Sequence, residues 1–144
     1  MLTVRTREGD HVRLDARVYR RSSLLSCAVD LAGGGREVVP LPGVGSAALG
    51  VVAALCQIHA EAEERSAALS APEERRASEA ARDAAAAELL RGRQDEVLAV
   101  MTAADYLDAP CAVEACARNI TEYIKNSRPE EIRSYFGIAR RGGQ

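Results

Sequence analysis

The chain has no tryptophan and one phenylalanine, and aromatic residues make up only 3% of its 144 positions. Its core must therefore be built from Leu, Val, Ile and a great deal of Ala. Lysine is nearly absent too: Lys125 stands alone among 19 basic residues. A GC-rich coding sequence, which favours Arg and Ala codons, accounts for that bias. The 19 basic residues meet 21 acidic ones, for a net charge of -2. That balance removes the electrostatic case for binding nucleic acid. No run of about 18 apolar residues occurs, which excludes a membrane-spanning helix. Met1–Asp10 carries charges where a signal peptide would need an apolar segment.

The usual catalytic signatures are missing as well. There is no Gly-rich phosphate loop, no HExxH and no GxSxG. The four cysteines are Cys27, Cys56, Cys111 and Cys116, read as reduced thiols that pack as small hydrophobes. Cys111 and Cys116 are five apart, which fits no common zinc spacing, and only His11 and His59 could complete a site. Cys56 and His59 have spacing that a dyad could use, but on a mostly apolar helix both read as structural. The expectation is a chain with no metal, no cofactor and no enzymatic activity.

What is present is a single domain's worth of patterned sequence. Hydrophobic residues are 47% and charged residues 28%, the balance of a globular chain. A chain of this length buries roughly 70% of its unfolded surface and needs no staple. Leu2–Arg7 alternates, Glu8-Gly9-Asp10 turns, and Val12, Leu14 and Ala16 alternate with Arg13, Asp15 and Arg17. That pattern predicts a β-hairpin. Ser22 or Ser23 can cap a short helix through Leu31, which Gly33-Gly34-Gly35 would stop. Arg36–Leu41 reads as a strand, with Pro40 placing it at an edge or at the end of its pairing.

Ser46–His59 and Asp95–Leu107 are apolar nearly all round, so both are expected as sandwiched helices. Glu61–Ala87 is rich in Ala, Glu and Arg, with few large apolar residues. It reads as a surface insertion, partly helical and divided by Pro72. After Asp108-Ala109-Pro110, an amphipathic helix places Val113, Cys116, Ala117, Ile120, Tyr123 and Ile124 on one face. Ser127 and Glu130 have capping-box spacing, Pro129 suits a first turn, and Gly137 suits a stop. The short last helix carries Ile132, Tyr135 and Phe136, with Ile138 beyond it. So short a helix cannot hold itself together alone, so it either folds onto its own core or presents its rings to another chain. The fold class is α/β (α+β), a small three-stranded sheet packed with a dominant helical layer.

Three motifs in this order resemble the Skp1 family, the adaptor subunits of cullin–RING ubiquitin ligases that use F-box proteins. They are Val39-Pro40-Leu41-Pro42 with the helix after it, Ala103-Ala104-Asp105-Tyr106-Leu107-Asp108, and Pro129-Glu130-Glu131-Ile132-Arg133 followed by Phe136-Gly137-Ile138. The Ala-rich stretch falls where that family carries a variable loop. The resemblance implies a BTB/POZ-like domain over residues 1–126, with the insertion at about 61–87. It also implies a helical F-box-binding extension over residues 127–144. The implied function is a non-catalytic adaptor in the cytoplasm and nucleus, partnered by F-box proteins and a cullin N-terminal domain. The same resemblance assigns cullin binding to Asp105 and Tyr106. It assigns F-box binding to Ile120, Tyr123, Ile124, Pro129, Ile132, Tyr135, Phe136 and Ile138. A cullin-binding decoy, or a POZ-fold protein that self-associates as a homodimer, are the alternatives.

The chain departs from the family at four places. Asp105 stands where the family has Asn, exchanging a donor amide for an acceptor carboxylate. Ala85-Ala86 stands for a Trp-Asp pair, and Arg128 for a Thr that precedes Pro-Glu-Glu. The sequence ends at Arg140-Arg141-Gly142-Gly143-Gln144, where the family continues into a final helix, so a shortened extension is expected. Within a ligase, Lys125 as the sole side-chain acceptor would limit self-modification.

Overall fold

The alternation at the amino terminus does build a hairpin. In the computed structural model, which describes residues 1–32 and 38–137, β1 (Leu2–Arg5) pairs antiparallel with β2 (His11–Leu14). Leu2 lies opposite Leu14, and Val4 opposite Val12. Leu2, Val4 and Leu14 are buried, while Arg5, His11 and Arg13 face outward. Gly9 takes a φ of 90° in the connecting turn, a left-handed backbone that costs glycine little. A third strand, β3 (Val39–Pro40), pairs parallel with β1, giving the order β2-β1-β3. Pro40 is therefore the last residue of an edge strand, where its missing N–H breaks no ladder. The glycine run expected to stop the preceding helix lies outside the described residues.

The second strand ends earlier than its alternation suggests. Asp15 accepts a hydrogen bond from the Val18 N–H and opens α1 (Ala16–Tyr19), so Ala16 and Arg17 are helical. A local cap won over the strand pattern. Ser22 caps α2 (Ser23–Leu31) by accepting from the Leu25 N–H, and its hydroxyl donates to the Leu107 carbonyl.

The largest addition concerns Glu61–Ala87, which is helical almost throughout and turns a few small residues inward while most of its residues stay exposed. The apolar helix continues as α3 (Ser46–Ala67), turns, and returns as α4 (Pro72–Leu90), which packs against α3. Ala60, Ala62, Ser78 and Ala86 are buried along this hairpin, and the Ser66 hydroxyl lies 3.2 Å from that of Ser78. Small side chains let two helices approach closely while burying little area each, which leaves no stripe of large residues to read. Pro72 divides the segment as expected, at the first turn of α4.

The sandwiching expected of both apolar helices is observed for the first, while the second keeps Asp95, Glu96, Ala99, Thr102 and Asp105 exposed along one face. α3 packs against α1, α4, α6 (Pro110–Lys125) and α5 (Gln94–Tyr106). The core joins Leu49, Val52, Leu55 and Cys56 of α3 to Val97, Val100 and Ala104 of α5, with Leu2 and Val4 beneath. The hairpin turn fixes the start of α3: the Glu8 carboxylate accepts from the Ser46 N–H at 2.9 Å, and the Ser46 hydroxyl lies 2.7 Å from Asp10. That backbone bond, with further help from the Ser46 hydroxyl and Arg7, holds the Glu8 carboxyl below its ordinary pKa. The chain ends its described course in α7 (Pro129–Phe136), closed by Gly137 in the left-handed conformation, φ 68°.

Candidate protein-binding site

The face formed by α6 and α7 is built on aromatic contacts. Tyr123, near the end of α6, packs at 4.6 Å between centroids on Tyr135 of α7 with the rings tilted by 45°, and Tyr135 meets Phe136 edge-on at 5.1 Å. Gln94 at the start of α5 donates to the Tyr135 hydroxyl at 3.1 Å and to Asn119 of α6 at 2.9 Å. One amide thus ties the beginning of α5 to both later helices. Burial pushes the Tyr135 phenol above its ordinary pKa.

The rings are not sealed. None of the residues of α7 is buried, and Phe136 is 37% exposed. An open cleft of about 490 Å³ runs beside them, lined by Leu98, Tyr123 and Tyr135, with Asp95, Glu130 and Glu131 around it. The two options for the short helix resolve into a mixture: Tyr135 folds back onto Tyr123, while Phe136 looks outward.

The other expected residues sort themselves by burial. Ile120 packs against the core, so its first role is structural. Ile124 is 40% exposed on the following turn of the same helix. Pro129 is exposed at the head of α7 and Ile132 is half-buried within it. Ile138 lies outside the described residues. Ser127 does not cap α7; its hydroxyl donates to the Tyr123 carbonyl at 2.6 Å and so finishes α6. Arg128 occupies the cap position of α7 without a side-chain bond. Lys125, on the last turn of α6, lies 3.7 Å from Glu122 and is largely exposed.

Asp105 and Tyr106 sit at the opposite end of α5. Tyr106 is 52% exposed, Asp105 is exposed, and Leu107 beside them is buried. Asp108 holds a left-handed φ of 52°, a conformation Asp tolerates better than most residues. Its carbonyl accepts from the Ser23 N–H, and that of Leu107 from the Leu24 N–H, docking the turn onto α2. This brings exposed Leu24 alongside the Tyr106 region, a neighbour that sequence reasoning missed. From Asp95 to Tyr106 is 11 residues, so the two faces are about 16 Å apart along α5.

Gln94, Asp95 and Leu98 were also missed. Their signal is only their helical position, on the turn of α5 that α7 happens to approach. The cysteines divide differently from the expectation. Cys56 and Cys116 are buried, Cys27 is exposed, and Cys56 lies 3.7 Å from Cys111, a hydrogen-bond distance for two thiols. Among the described residues, no cluster of three His, Cys, Asp or Glu could hold a metal ion, and no helix is long and apolar enough to cross a membrane.

Comparison with known proteins points the same way as the motifs. No family model matches the chain. Subunit sconC of the E3 ubiquitin ligase complex SCF from Arthroderma benhamiae is 24% identical over 137 residues, spanning 95% of this chain and 82% of the relative. The protein of the same name from Talaromyces marneffei is 26% identical, over 95% of this chain and 84% of the relative. That from Talaromyces stipitatus is 25% identical over the same shares. The chain is similar to SCF ligase subunits along nearly its whole length.

Proposed function

We propose that this chain is a non-catalytic adaptor linking an F-box substrate receptor to a cullin in an SCF-type ubiquitin ligase of the cytoplasm and nucleus. Residues 1–126 form its BTB/POZ-like domain and residues 127–144 its F-box-binding extension. The observation that carries the reading is the half-open aromatic row in which Tyr123 of α6 meets Tyr135 and Phe136 of α7, a helix that buries none of its own residues. Such a surface gains most when a second polypeptide covers it, because aromatic anchors in a closed pocket dominate binding energy.

In this scheme the F-box helices lie over α7 and the exposed end of α6, with Phe136 and Ile124 as anchors. Tyr106, 52% exposed on a turn braced by α2, meets the cullin. Asp105 can only accept hydrogen bonds while ionised, so the cullin must supply the donor there. The chemical contribution is positional. Holding receptor and cullin on one rigid body replaces a bimolecular search by an effective concentration that reaches the mM range for short linkages.

Mixing the purified chain with an F-box domain and a cullin N-terminal domain from the same source tests the proposal. A ternary complex of one copy each is expected. Binding to the cullin alone would make the chain a decoy, and a discrete homo-oligomer that binds neither would make it a self-associating structural protein. Either result overturns the adaptor reading.

A further inference from the structure

We propose that Cys56 and Cys111 form an oxidisable dithiol, a modification site that reacts with hydroperoxides and closes into a disulfide joining α3 to the first turn of α6. The inference is independent of the adaptor reading. Its basis is geometric: two thiols from different helices stand 3.7 Å apart, and a disulfide needs about 2.05 Å. Access is asymmetric. Cys56 is buried, whereas Cys111 is half-buried and borders a narrow crevice with His59, Arg82 and Asp83.

The surroundings make Cys111 the attacking sulfur. It is the second residue of α6, where free backbone N–H groups favour negative charge. The Arg21 guanidinium also acts on it, from the segment between α1 and α2. The hydrogen bond shared with Cys56, then Arg21 and the N–H groups of Ala112 and Cys111, lower the Cys111 thiol from its ordinary pKa against the opposing effect of burial. The shared hydrogen bond and then burial push Cys56 up. The other charges nearby largely compensate one another. Glu63 pairs with Arg21, and Asp83 of α4 pairs with both Arg82 and Arg118. Glu114 and His59, the latter kept toward neutrality by burial, complete the surroundings.

The step balances without a metal or cofactor. The Cys111 thiolate attacks the terminal oxygen of a hydroperoxide; an S–O bond forms, the O–O bond breaks, and the alkoxide leaves as the alcohol after taking a proton. Cys56 sulfur then attacks the sulfenic sulfur; the S–S bond forms, the S–O bond breaks, and hydroxide leaves with the Cys56 proton as water. Two thiols lose two electrons and one peroxide gains them. Cys116 is a poor competitor, since it is buried and its thiol is pushed up to about 11.

The test treats the reduced full chain with hydrogen peroxide near neutral pH and follows it by mass spectrometry without reduction. A loss of two hydrogens per chain is expected, with tryptic peptide 37–65 linked to 94–118 and fragmentation placing the link at Cys111. Because the start of α6 and Arg21 favour its thiolate, Cys111 should be the sulfur that the peroxide oxidises first within the pair. In Cys56→Ser, a sulfenic acid should accumulate at Cys111 and be trapped by dimedone. No link within the chain, a link through Cys116, or disulfides only between chains would overturn the proposal. The wild-type measurement decides this even if the variant fails to fold.

Discussion

Replacing both Tyr135 and Phe136 by Ala separates an interface from a core. The monomer should lose little. Phe136 is 37% exposed, and truncating Tyr135 removes one ring contact with Tyr123 and one hydrogen bond from Gln94. Each is worth about 0.5–1.5 kcal/mol, so the local loss is about 1–3 kcal/mol. Much of that loss falls on the docking of α7, because none of its residues is buried and the core of α3 and α5 is formed without it. Global Tm should therefore fall by only a few degrees. Binding to an F-box domain should change far more. Covering two large apolar side chains contributes about 1.5–3 kcal/mol each, so their loss should raise Kd by roughly 10² to 10⁴. Titration calorimetry against a purified F-box domain and thermal melts followed by circular dichroism measure the two quantities on the same samples. Unchanged affinity would refute the anchoring role. Collapse of the fold would refute the claim that the rings are surplus to the monomer's core.

Other substitutions test other parts of the reasoning. Tyr106→Ala should weaken cullin binding at least tenfold in a pull-down titration while leaving Tm unchanged, since that ring is 52% exposed. Ala62→Asp places a charge at a position only 3% exposed in the α3–α4 hairpin. It should cost about 3 kcal/mol or more and lower Tm by roughly 6–12 °C, whereas Ala84→Asp on the exposed face of α4 should change little. Equal effects would show that Ala62 is not packed within the α3–α4 hairpin. Glu8 has its pKa lowered from 4.5 by the Ser46 N–H, so its contribution is complete above pH 4.5 and fades as pH falls through the lowered value. Glu8→Gln should flatten that part of the acid limb in urea melts, and an unchanged limb would show that the cap contributes nothing.

Elements whose local chemistry and packing agree were legible in the sequence. The hairpin follows from Leu2, Val4 and Leu14 on one face and a glycine turn, and α7 is bracketed by Pro129 and Gly137. Elements held by small residues were not. Ala60, Ala62 and Ala86 bury too little area to raise a hydrophobic period, so a packed hairpin looked like a solvated stretch. Capping signals also compete. Ser127 had a plausible partner in Glu130, yet its hydroxyl reaches back to Tyr123, four residues earlier. At the candidate site the aromatic residues were visible, but Gln94 was not, because a hydrogen bond between residues 41 apart leaves no local mark.

The placement of the two faces gives α5 a mechanical meaning. Gln94 and Asp95 border the aromatic row at one end, and Tyr106 opens the exposed turn at the other. Between them Val97, Val100 and Ala104 are at most 1% exposed and locked against α3. A helix anchored to the core by one face along its length cannot bend without opening a core packed at crystal-like density. The separation of about 16 Å is therefore set by backbone rise rather than by flexible side chains. In the proposed adaptor, such a bridge would transmit orientation as well as proximity. Its two faces could diverge in sequence independently, because the residues that hold them apart are not the residues proposed to bind.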